Sequence, residues 1–207
     1  MQTLVVDHPV VSDRLAQLRS QDTPSPVFRN ALEDVSSFLI YEAVRDIQTT
    51  SVEVQTPLGS AAGQRIEAPP VVIPVLRAAL GMLHAALRLF PSAPVGFLGL
   101  RRNEETLAVE PYLHTIPARL EGRPALVLDP MLATGGSLEH ACRAAKECDA
   151  GPITVVTVLS APEGVRRLES TSHVHRLVTG AIDSRLNEDA YIVPGLGDAG
   201  DRQFNEI

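Results

Sequence analysis

The sequence has no tryptophan, and aromatic residues make up only 4% of it. That scarcity disfavours a platform on which bases of single-stranded nucleic acid could stack. Cysteine is nearly absent too, with Cys142 and Cys148 the two in the chain. They fall on one helical stretch, face different directions there and do not readily bridge, which fits a reducing, cytoplasmic compartment. No Cys-x-x-Cys or paired His completes a metal set with them, and His173-x-His175 on one strand face is a weak metal pair. No apolar run approaches the length of a membrane span. Met1–Val11 lacks a basic stretch followed by an apolar one, so no secretory leader is expected. Positive charge is in short supply, with a formal net charge of −7. Nothing pulls the whole chain towards nucleic acid or an anionic membrane, and any phosphate site must be built locally. A Gly-Lys-Ser/Thr phosphate loop is missing as well, which removes the P-loop nucleotide hydrolases.

What is present is an ordinary globular composition, 44% apolar and 21% charged over 207 residues. That length holds one sizeable core, and a single domain over residues 1–207 is expected. After a break at Thr23–Pro26, with Ser25 read as an N-cap and Pro26 at the first helical position, Phe28, Ala31, Leu32, Val35, Phe38 and Leu39 follow a helical spacing to about Val44. Thr49–Pro57 alternates like a strand or hairpin arm, and Leu58–Pro70 reads as a Gly-containing connection. From there the pattern is regular. Apolar strands are expected at Val71–Leu76, Val95–Leu100, Ala125–Leu128, Ile153–Leu159 and Val174–Ile182. Helices are expected at Ala78–Phe90, Leu138–Cys148 and Pro162–Ser170. Arg101–Leu120 is polar, with a hairpin around Tyr112–Ile116. Alternating strands and helices predict an α/β fold, and unbroken apolar strands predict a mostly parallel sheet with helices on both faces.

The chemistry concentrates at Asp129–Ser137. An apolar strand ends in Asp129, a loop of Pro130, Met131, Leu132, Ala133, Thr134, Gly135 and Gly136 follows, and a helix begins near Ser137. Loop N–H groups and a helix N-terminus favour an anion. Gly135 and Gly136 allow positive φ and close backbone approach, and Thr134 and Ser137 add hydroxyl donors. Ser137 is equally well read as a helix cap. The neighbouring acid needs a metal ion or a sugar diol as partner. Ligands of such sheets bind beyond the carboxyl ends of the strands. Arg77, Arg101, Arg102, Asp129, Ser160 and Asp183 all follow strand ends; the arginines and Asp129, flanking one phosphate cradle, together read as a polyphosphate and sugar site. A second feature is Tyr191–Asp201, with three glycines, one proline and two Asp in its last eight residues. A Gly-rich turn exposes backbone groups that read the edge of a flat ligand.

The run Asp129–Ser137, with Leu76-Arg77-Ala78, Arg102-Asn103-Glu104-Glu105-Thr106 and Tyr191–Asp201, resembles the type I phosphoribosyltransferases, and among them the uracil phosphoribosyltransferase family. His8-Pro9, Phe28-Arg29 and Tyr41-Glu42-Ala43 extend the likeness over essentially the whole chain. The resemblance implies a core at about residues 66–185 with a small hood from the terminal segments. It implies conversion of uracil and 5-phosphoribosyl diphosphate (PRPP) to UMP and diphosphate. Residues 129–137 would bind PRPP, Thr134–Ser137 at the 5-phosphate and Asp129 under the ribose hydroxyls. Arg77 and Arg102 would hold diphosphate oxygens, and Asp198 would lie beside the PRPP–Mg²⁺ complex. Ile192, Gly197, Asp198 and Ala199 would meet uracil. Arg102, Asp129 and Asp198 are the catalytic candidates. Where the general motif carries two adjacent acids, Pro130 replaces the second, which implies Mg²⁺ carried on PRPP with no direct protein ligand. The resemblance further implies a homodimer or larger assembly and, in some members, GTP activation. Two positions depart from it: Ala79 stands where Gly is usual, and Arg101 where Tyr is common. A transferase for another base, or an RNA-binding regulator of the same fold, are the rival readings; the acidic net charge argues against the second.

Overall fold

The computed structural model describes residues 1–102 and 109–205. In chain order the elements are β1 (Gln2–Val5), α1 (Pro9–Arg19), α2 (Ser25–Ala43), β2 (Thr49–Thr56), β3 (Gly59–Ile66), β4 (Val71–Leu76) and α3 (Leu80–Leu89). There follow β5 (Leu98–Arg102), β6 (Val109–His114), β7 (Ala125–Leu128), β8 (Met131–Leu132), α4 (Gly136–Glu147), β9 (Ile153–Ser160), α5 (Pro162–Glu169), β10 (Arg176–Ile182), β11 (Arg185–Leu186), β12 (Ile192–Val193) and α6 (Ala199–Phe204).

The main sheet runs β1-β10-β9-β7-β4-β5-β6, with the short β8 added on β9. Its pairs are parallel except β5 with β6. Successive strand residues feed opposite faces, as the pleat requires. Val72, Leu126, Leu128, Val156 and Val158 join a core under α1, α2 and α3. Val71, Ile73, Val127, Ile153 and Val155 join the other, under α4 and α5. Helices therefore cover both faces, and that is why the strands lack polar alternation. The terminal segments meet: Arg202 of α6 lies 4.4 Å over the Phe28 ring of α2 and donates to the Ser20 carbonyl at 2.5 Å, just past α1.

Four local expectations are corrected. Ser25 does not cap α2; it is the first helical residue, Pro24 holds the cap position, and the Ser25 hydroxyl bonds Asn205 Oδ1 instead. Residues 58–70 are no mere connection, because β3 pairs along the full length of β2 to form an exposed antiparallel arm. The strand expected from Val95 begins at Leu98, with Val95 making only a bridge to Val72. The expected hairpin near Tyr112 is the β5–β6 pair, and its connecting residues lie outside those described.

Candidate active site

The carboxyl ends of β4 and β7, with Leu100 of β5, open on a cleft of about 720 Å³. Arg77 and Ala78 border it from the loop after β4, Asp129, Met131, Ala133 and Ser137 from the loop after β7, and Ile192, Gly197, Asp198 and Ala199 from the distant turn. Segments far apart in sequence are thus brought to one space. An adjoining cleft is lined by Arg77, Arg101, Tyr112 and Asp198 among others.

The loop after β7 is built around Gly135. It holds φ 82° at the N-cap of α4, and a Cβ there would stand 3.2 Å from both Arg167 Cδ and the Gly164 carbonyl. A left-handed turn in so tight a place requires glycine. With Gly135 as the cap, the Ser137 hydroxyl does not cap the helix; it sits in the first turn and borders the cleft. First-turn N–H groups have no partner within a helix, which suits this end to an anion. Pro130 and Leu132 turn the other way. Their carbonyls accept from Val158, Leu159 and Ala161 N–H groups, and the Leu132 side chain is fully buried in the core. They shape the loop from beneath, while Thr134 and Gly136 are part-exposed at its tip.

Asp129 is buried, with Oδ1 accepting from Met131 N–H at 3.2 Å. Burial pushes its pKa up to about 7, against the Met131 hydrogen bond and with help from the Asp198 charge. A carboxyl poised at neutrality is a signature of functional sites. Asp198 itself is exposed and N-caps α6, its Oδ1 accepting from Asp201 N–H at 2.9 Å. The Arg102 side chain and Asn103-Glu104-Glu105-Thr106 lie outside the described residues.

The turn at 194–198 depends on Gly195, at φ 62°, where a Cβ would meet the Ile192 carbonyl at 2.1 Å, and on Gly197 at φ 81°. Gly195–Gly200 also has the Gly-x-Gly-x-x-Gly spacing. It follows a two-residue antiparallel strand and leads into a six-residue helix, so it is not the βαβ phosphate turn that spacing often marks. Both departures from the family pattern have a visible local setting. Ala79 is buried at φ −75°, ψ 0°, an ordinary right-handed conformation that a methyl group fits. Arg101 is paired with Glu110 at 3.2 Å, so its charge is balanced locally.

The sequence reading missed the residues that hold the turn. Arg19, Arg202 and Gln203 carry no motif, Asp183 was marked only by its place after a strand, and their partners lie far along the chain. The N-terminal part of the likeness is structural: His8 Nδ1 caps α1, Phe28 is core, and Arg29 donates to the Gln203 carbonyl at 2.5 Å.

The same sheet with helices on both faces occurs in a hypoxanthine phosphoribosyltransferase of Staphylococcus aureus, at a TM-score of 0.52 over 76% of each chain and 13% identity. That likeness is one of fold: an α/β protein whose mostly parallel sheet is covered by helices on both faces. The sequence itself matches the family described as uracil phosphoribosyltransferase over residues 5–206. A uracil phosphoribosyltransferase of Corynebacterium efficiens is 48% identical over 204 residues, covering 99% of this chain and 97% of that protein. The structure of the AQ2163 protein from Aquifex aeolicus superposes with a TM-score of 0.92 at 39% identity, over 98% of each chain. The chain belongs to the uracil phosphoribosyltransferase family.

Proposed function

We propose that this protein transfers the phosphoribosyl group of PRPP to uracil, forming UMP and diphosphate. One bond breaks, ribose C1 to a diphosphate oxygen, and one forms, uracil N1 to C1, with the N1 proton lost. The observation that carries this reading is the single cleft shared by the Asp129–Ser137 loop, the Arg77 loop and the Ile192–Ala199 turn.

Breaking the C1–oxygen bond gathers positive charge on the sugar and negative charge on diphosphate. Such a reaction needs positioned, opposite charge more than a strong nucleophile. In this reading the first turn of α4 with Thr134 and Ser137 takes the 5-phosphate, and ionised Asp129 accepts from the ribose hydroxyls. Arg77 and Arg102 take the departing diphosphate, with charge-assisted bonds of roughly 1.5–3 kcal/mol each outweighing about 0.3–1 kcal/mol from the helix dipole. Among the described residues no group of three or more His, Cys, Asp or Glu is placed to hold a metal ion. Two cleft carboxylates, Asp129 and Asp198, fit an ion that arrives as Mg²⁺ on PRPP and takes few protein ligands. When bound, the ion neutralises diphosphate charge. Backbone groups of Ile192, Gly197 and Ala199 meet the O2, N3–H and O4 edge of uracil. Cytosine would set an acceptor against an acceptor there, and an unpaired buried polar group discriminates strongly.

Two buried free thiols support a reducing, cytoplasmic setting, and no helix among the described residues is long and apolar enough to cross a membrane. The exposed β2–β3 arm, with Leu58 fully exposed, supports a homodimer or larger assembly. GTP activation belongs to this reading through the family resemblance, and adding GTP to the assay tests it. The decisive experiment supplies PRPP and Mg²⁺ with uracil, cytosine, hypoxanthine or orotate and identifies the product. UMP formed from uracil in strong preference is expected; turnover of another base instead would overturn the assignment.

A further inference from the structure

Gln203 is fully buried, yet its side chain reaches two parts of the cleft at once. Its Nε2 donates to the Ala78 carbonyl at 2.8 Å and to the Ala199 carbonyl at 2.7 Å. Ala78 follows Arg77 in the loop assigned to diphosphate. Ala199 follows Asp198 in the segment assigned to the base. Both residues border the cleft. The amide orientation is determined by these contacts, since the flipped amide would set its oxygen against two carbonyls. Space around it is also exact: a Cβ on Gly81 would stand 2.3 Å from Gln203 Oε1. That oxygen has no hydrogen-bond partner, so the amide keeps an unsatisfied buried acceptor in exchange for its two donated bonds.

We infer that Gln203 is a positioning residue that couples the two substrate half-sites. It ties the diphosphate loop to the base turn through one rigid amide, so ordering either loop orders the other. Binding of PRPP and of uracil is then interdependent, a coupling between sites in the thermodynamic sense. This rests on the site reading above. Gln203 touches neither substrate. Its effect travels through the two carbonyls it holds.

The test compares binding at the diphosphate half-site without uracil and with it. The dissociation constant of Mg²⁺–diphosphate, which cannot react, is measured by calorimetry without uracil and with saturating uracil. In the wild-type protein the value with uracil is expected at least fivefold below the value without it. In Gln203→Met, which keeps the volume and loses both donated bonds, the ratio falls towards 1 and the KM for uracil rises in parallel. Gln203→Leu removes the same donors with a smaller apolar side chain and serves if the Met variant does not fold. A variant that is merely less well folded lowers kcat by its inactive fraction and leaves the ratio alone. A wild-type ratio near 1, or a variant that keeps the wild-type ratio, overturns the inference. No UMP formation from uracil by the wild-type protein would instead overturn the site reading on which it rests.

Discussion

Arg19 and Asp183, at opposite ends of the chain, form a two-pronged ion pair with N–O distances of 2.6 and 2.7 Å. The pair also grips the turn at residues 194–198. Arg19 Nη1 donates to the Gly195 carbonyl at 2.9 Å, and Gly195 N–H donates to Asp183 Oδ2 at 2.8 Å. Both backbone polar groups of one turn residue are therefore held by a single salt bridge. Burial alone would raise the Asp183 pKa, but the hydrogen bonds from Arg19 and Gly195 outweigh it and hold the carboxyl below its usual range.

Asp183→Asn should therefore damage the base turn selectively. The KM for uracil is expected to rise roughly tenfold or more, at about 1.4 kcal/mol per factor of ten, with PRPP binding little changed. The pH dependence follows in sign. A depressed carboxyl contributes stability above its ordinary pKa of 3.8 and loses it as pH falls through the lower folded value. Acid melts of the wild-type protein should drop more steeply below pH 4 than those of the variant. Equal KM values for uracil would remove the pair from base recognition.

Asp129 behaves in the opposite way, because burial raises its carboxyl to about 7. The unliganded protein holds this proton more tightly than the unfolded chain does. Its stability should fall as pH rises from about 4 to about 7, and Asp129→Asn should flatten that slope. Ribose hydroxyls donate best to the ionised form. Affinity for PRPP should then increase about tenfold between pH 6 and 8 beyond any change seen with Asp129→Asn, since one pH unit each side of the pKa carries most of the titration. Calorimetry of both proteins across that range checks it; parallel pH profiles would show that Asp129 does not meet the ribose.

Ala79 gives a prediction of neutrality. Its methyl is fully buried and its backbone is right-handed helical. Ala79→Gly restores the residue usual in the family, yet it adds chain freedom and removes a packed methyl. A loss of about 1–2 kcal/mol in stability is expected, with KM for PRPP within about twofold. A large gain in PRPP affinity would mean that the loop needs a conformation alanine resists.

These contrasts show what was legible beforehand. The central strands were, because Val71–Leu76, Ala125–Leu128 and Ile153–Ser160 are buried on both faces and read as unbroken apolar runs. The loop at Asp129–Ser137 was, as a turn leading into a helix, because Gly135 serves local geometry with φ 82°. The arm was half legible. β2 alternates, but β3 is Gly-Ser-Ala-Ala-Gly-Gln-Arg-Ile and buries little within its own chain, so no core imposes a pattern on it. That Ser137 is not the helix cap needed the φ of Gly135. The locks on the turn at residues 194–198 were silent, since a hydrogen bond between residues 19 and 183, or between 78 and 203, depends on how the whole chain closes.

Asp198 is a helix cap, and the site reading gives its carboxylate a second, separable job. Its Oδ1 caps α6 through Asp201 N–H, and an asparagine Oδ1 can accept the same bond. Its negative charge, felt at Asp129, is what the site reading places beside PRPP–Mg²⁺. Asp198→Asn should thus keep the melting temperature and lower kcat at least tenfold with the preference for uracil intact. Asp198→Ala should show the same loss of turnover and a further loss of about 1 kcal/mol in stability, the typical worth of a cap. The two variants separate charge from geometry. If Asp198→Asn turns over at the wild-type rate while Asp198→Ala only melts earlier, the residue is a helix cap, and the charge beside PRPP must come from elsewhere in the cleft.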